Sequence, residues 1–139
     1  MKRISTTDTR TVEELHEDHR RWWSILCSWQ ADVKSSEHRL QQVVAHAPST
    51  DLLAEAEQYQ NRLIREQEVI DELQHLVKTH ETSLEQKARE LPHVSATAPY
   101  ADHSLLRERM DTAERLHVEL RTSFRHWAAS WLRRSSDAA

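Results

Sequence analysis

Three histidines, His19, His80 and His117, stand at positions where the surrounding spacing calls for apolar side chains. His16 precedes His19 by one helical turn, and Glu114 precedes His117 by one turn. Brought together, these residues would give His-x-x-His, a lone His and Glu-x-x-His on three helices. Imidazole and carboxylate donors in that pattern suit zinc or another first-row transition metal. The same residues also fit a structural role. A histidine in a helical seam satisfies itself by hydrogen bonds, and polar seam residues fix register and orientation. The structural polar layer is the leading reading, and the metal site is its alternative.

Whatever chemistry these side chains perform, helices must position them. Val12, Leu15, His19, Trp22, Leu26, Trp29, Val33, Ser36, Leu40 and Val43 follow one another at alternating steps of three and four, which predicts a helix over roughly 12–47. Thr11-Val12-Glu13-Glu14 has the Thr-x-x-Glu form of a capping box at its start. Pro48-Ser49-Thr50 ends this helix and caps the next, expected over 51–91, whose seam includes Leu63, Glu66, Ile70, Val77, His80 and Leu84. Residues 92–101 carry two prolines and read as a loop. A third helix follows over about 103–133, with Leu106, Met110, Ala113, His117, Leu120, Phe124, Trp127 and Trp131 in its seam. Short connections make neighbouring helices antiparallel. The expectation is therefore a single all-α domain, an elongated up-down-up three-helix bundle with coiled-coil-like heptad packing. Folding about the two connections sets His80 opposite the regions of both His19 and His117. His38, His46, His93 and His103 fall outside that layer.

Bulk composition narrows the function classes. The chain has 139 residues, 30% of them charged, and no glycine. Without glycine there is no phosphate-cradling loop, dinucleotide fingerprint or nucleophile elbow. A net charge of −4 argues against a dedicated nucleic-acid binder, which needs a basic stripe. Cys27 is the only cysteine, so an intrachain disulfide is impossible. No apolar leader and no stretch of membrane-spanning length is visible, and a cytoplasmic, non-membrane protein is expected.

The remaining constellations are weaker. Trp22, Trp29, Trp127 and Trp131 read as core, with Trp29 grouped with the last two. Glu66 is expected to accept an indole N–H or to pair with an arginine such as Arg125. Helix 2 is acidic and helix 3 rich in arginine, an asymmetry suited to pairing between them. Cys27 falls on the outer face and has no activating neighbour. The extra apolar positions Trp23, Ile25, Val69 and Leu76 suggest a homodimer.

Leu15-His16-Glu17-Asp18-His19 followed by Trp22, together with Asn61-Arg62-Leu63-Ile64 and Ile70-Asp71-Glu72-Leu73-Gln74-His75, resembles small uncharacterised bacterial helical-bundle proteins. Those proteins share a Leu-His-x-x-His-x-x-Trp opening. The resemblance spans roughly helices 1 and 2 and implies a soluble bacterial helical protein without an assigned activity. The likeness to spectrin-type repeats is one of architecture. Haemerythrin-like and ferritin-like carboxylate bundles normally use four helices, and a second inward-facing Glu-x-x-His on an opposing helix is missing here. No nucleophile, base and oxyanion donor can be assembled into an active site. A structural or protein-interaction bundle, partnered by another protein or by itself, is thus expected, rather than an enzyme. A metal-binding bundle is the alternative.

Overall fold

A computed structural model describes residues 11–46, 49–90 and 100–137. Three helices account for nearly all of them: α1 (Val12–His46), α2 (Thr50–Glu90) and α3 (Tyr100–Asp137). The caps are local. The Thr11 hydroxyl accepts the Glu14 N–H at 3.2 Å. The hydroxyl in turn donates to the Glu14 carboxylate at 3.3 Å. Ser49 caps α2 by accepting the Leu52 N–H at 3.1 Å, and Asp51 lies in the first turn, where a negative charge complements the helix dipole. Expected helix ends are met within one residue on α1 and α2. The third helix is longer than expected at both ends. Tyr100 and Ala101, assigned to the loop from sequence, are already helical, and the helix continues to Asp137. The remainder of the expected loop lies outside the described residues, as do residues 1–10.

The helices pack as an all-α three-helix bundle, α1 and α2 antiparallel and α3 running parallel to α1. Cross-helix partners establish this: His16 meets Glu81, Gln30 meets Gln74, and Asp18 and Asp32 meet His103 and His117 in the same order. A helix of 41 residues is roughly 60 Å long at ~1.5 Å per residue. No helix among the described residues is long and apolar enough to cross a membrane.

The core is divided. Trp22, Leu26, Trp29, Leu63, Ile70, Met110, Leu120 and Phe124 belong to the main apolar cluster. Leu15 and Leu84, with Val12 against them, form a separate small cluster at one end. Between the two lies a layer of buried polar side chains that includes Asp18, His19 and His103. Apolar burial therefore holds the two parts of the rod separately, and the layer between them must be held by hydrogen bonds and charge.

Candidate functional site

Two polar layers cross the bundle. In the first, Asp18 is buried at the α1–α3 contact. It accepts the His103 Nε2–H at 2.8 Å and an Arg107 N–H at 2.8 Å, both on Oδ2. Arg21, one turn along α1, donates to Oδ1 at 2.9 Å. In the second layer, Asp32 Oδ2 accepts the His117 Nε2–H at 3.0 Å and an Arg121 N–H at 3.2 Å. Each histidine also lies against a tryptophan of α1. His103 stacks on Trp22 with ring centroids 4.8 Å apart, and His117 stacks on Trp29 at 4.9 Å.

The two Asp–His–Arg ties are copies of one device, whereas the stacked tryptophans are only one heptad apart. Asp18 and Asp32, His103 and His117, and Arg107 and Arg121 are each separated by two heptads. A two-heptad step returns each member to the same face of its helix. On antiparallel α2 the corresponding positions are Glu66 in the second layer and His80 in the first, with the same two-heptad separation. Glu66 is buried with Oε1 at 3.6 Å from His117 Nδ1. His80 instead meets His19, their ring centroids 6.2 Å apart.

The surroundings drive the two repeated histidines in opposite directions. Burial disfavours the charged form of both. At His117, the nearby carboxylates of Glu66 and Asp32, the latter hydrogen-bonded to the ring, overcome burial and raise the imidazole above its ordinary value. At His103, burial prevails over the Asp18 hydrogen bond, with the neighbouring His19 adding to it, and the imidazole falls below its ordinary value. Burial lowers His80 too, reinforced by His19 and opposed by Asp102. Burial pushes the carboxyls of Asp18 and Asp32 upward, but their histidine and arginine partners outweigh it and hold both below the usual range.

The first layer contains a second carboxylate site. Glu81 of α2 accepts the His16 Nδ1–H at 2.5 and 2.8 Å on its two oxygens. It also accepts the His19 Nδ1–H at 3.1 Å. His19 is buried, with its ring centroid 5.1 Å from that of His103. Its Nε2 has no hydrogen-bond partner among the described residues.

The structure thus unites His16, His19 and His80 but corrects the third helix. His117 does not join them; His103, two heptads earlier on α3, takes the expected place. Glu114 is exposed beside Arg21 and Arg107 and enters neither layer. The error lies in the α2–α3 register. Tyr59 meets Ser123 and Glu72 meets Arg109, a pairing displaced by two heptads from symmetrical folding about the second loop. A two-heptad slip preserves every seam position, so the apolar pattern cannot detect it. The heptad run of α3 extended backward from Met110 lands on His103. Asp18 and Asp32 flank the seam, where spacing does not single out a carboxylate.

Several other expectations also change partner. Glu66 faces His117 rather than an indole or Arg125, which is exposed. Trp29 stacks on His117, whereas Trp127 packs on Tyr59 and Phe124. Of the arginines on α3, Arg109 pairs with α2, but Arg107 and Arg121 turn to α1. Cys27 is exposed, as expected.

His16 and His19 both turn Nδ1 to Glu81, while His103 and His117 turn Nε2 to Asp18 and Asp32. Among the described residues, no group of three or more His, Cys, Asp or Glu side chains is arranged to hold a metal ion. The arrangement is suited to fixing helix register and to taking up protons. Comparison with protein families, curated proteins and solved structures finds no match to the chain.

Proposed function

We propose that the chain is a structural or protein-interaction module, a rod whose helices are locked in register by the two polar layers and which offers an apolar groove to another protein. The observation that carries this reading is the pair Leu105 and Leu116 on α3, 61% and 52% exposed. They stand about three turns apart on one face. Both line a groove between α2 and α3, together with Val69, Leu73 and Ala113. Large apolar side chains gathered along a groove are the usual receptor for an amphipathic helix.

A second copy of this chain is the partner to test first. Of the four residues expected to form a homodimer, Ile25, Val69 and Leu76 are packed partly against the bundle's own core, and Trp23 is exposed. Val69 alone belongs to both sets, so the α2–α3 groove replaces the others as the candidate face. Sedimentation velocity across the micromolar-to-millimolar range tests the proposal. Self-association that disappears in a Leu105→Glu/Leu116→Glu variant with unchanged melting temperature is the expected result. A chain that stays monomeric throughout, or whose association ignores both substitutions, removes the second copy as partner.

A further inference from the structure

We propose that the histidine layer formed by His19, His80 and His103 is an acid-sensitive latch, whose protonation releases one end of the bundle while the rest stays folded.

The geometry has three parts. The layer brings together one imidazole from each helix, His19 and His103 buried and His80 half-buried, with His19 in ring contact with both of the others. It lies between the main apolar core and the small Leu15–Leu84 cluster, so the end beyond it has little apolar burial of its own. The groups facing it cannot absorb several new positive charges. From α1 these groups are His16, Asp18 and Arg21; from α2, Glu81; from α3, Asp102 and Arg107. Arg20, Lys78 and Glu85 lie farther out, lining the groove beside His16 and His19. Asp18 already serves His103 and two arginines, and Glu81 already serves two histidines. His19 Nε2 is buried with no hydrogen-bond partner among the described residues.

Proton uptake therefore places like charges side by side in a region of low dielectric. The downward shifts at His80 and His103 agree with this. The unfolded or opened end binds more protons than the closed end below the ordinary histidine value, so acid favours opening. Elements freed by the latch are the first turns of α1 and α3 and the last turns of α2. The second layer differs in charge: Asp32 is hydrogen-bonded at His117 Nε2 and the Glu66 carboxylate lies 3.6 Å from Nδ1, so a positive His117 is flanked by carboxylates and not by imidazoles.

Amide hydrogen exchange of the full chain at about pH 7.5 and about pH 5.5, values that bracket the ordinary histidine pKa, tests the latch. After correction for intrinsic exchange rates, protection in residues 12–20, 80–90 and 102–107 should fall about tenfold for each proton that closure excludes by one pKa unit. Protection in residues 26–43, 52–73 and 110–131 should change little. His80→Glu supplies the carboxylate that the second layer already has, and it should abolish the drop. Should that variant fail to fold, His80→Gln removes one charge and moves the midpoint of the drop to lower pH. Unchanged protection at the end in acid, or loss along the whole rod at once, overturns the latch. So does a drop of equal size in His80→Glu, or an unmoved midpoint in His80→Gln.

Discussion

The two polar layers share an aspartate, a histidine, an arginine and a stacked tryptophan, yet their histidines shift in opposite directions. The differences lie around the tie: His16, Arg21 and Glu81 belong to the first layer alone, and two seam positions change as well. Where the first layer has His80, the second has Glu66; where the first has His19, two heptads farther along α1 stands Val33. The repeated Asp–His–Arg tie thus positions the imidazole but does not set its proton affinity. Affinity is set by what α1 and α2 add around the tie. Glu66 faces His117 directly and makes its charge welcome, whereas Glu81 is engaged by His16 and His19 and leaves His103 beside another imidazole, which makes its charge costly.

The largest expected effect comes from the difference in exposure between the layers. Asp18 presents 7% of its side chain to solvent and Asp32 presents 26%. Asp18→Ala leaves the buried His103 without its acceptor and strips Arg107 of its partner, and should cost about 2–3 kcal/mol by urea denaturation. Asp32→Ala leaves groups that water can reach and should cost about 1–2 kcal/mol. Equal losses in the two variants would show that burial does not separate the layers.

Glu66→Gln attacks the second contrast. It removes one of the two carboxylates facing His117, so the imidazole should titrate lower when followed by NMR. Stability at low pH should fall by about 1–2 kcal/mol. A His117 titration unaffected by this change would assign the raised value to Asp32 alone.

His117→Gln gives the pH dependence a sign. Because the folded value of His117 is raised, its contribution is full below the unfolded value and disappears as pH rises through the folded value. The melting-temperature gap between wild type and variant should accordingly widen toward acid and close toward alkali. A gap that grows with pH would contradict the upward shift. For His103 the sign is reversed. Its folded value is lowered, so its contribution is present above the unfolded value and lost as pH falls through the folded one.

The smallest effect is expected outside both layers. Arg109 pairs with Glu72 on the surface at 2.9 Å, with both side chains about half exposed. Arg109→Ala should cost about 0–1 kcal/mol in the same urea assay. A larger loss would mean that charge pairing between α2 and α3, not only the ties to α1, holds the third helix.

Spacing and side-chain chemistry along the chain are enough to establish the three helices, their caps and their buried seams. Each of these depends on residues a few positions apart, which is local information. The same reading marks His19, Glu66, His80 and His117 as polar members of the seams and His16 as a neighbour one turn before His19. Which of them meet is a matter of packing. Seam positions repeat every heptad, so an α3 shifted by two heptads buries an equally regular stripe, and only the packed register distinguishes His103 from His117 as the neighbour of His19. Asp18 and Asp32 lie beside the seam and read as ordinary surface carboxylates until α3 brings a histidine and an arginine to each. The opposite proton affinities of the two layers follow from that assembly, since a pKa is fixed by neighbours in space rather than along the chain.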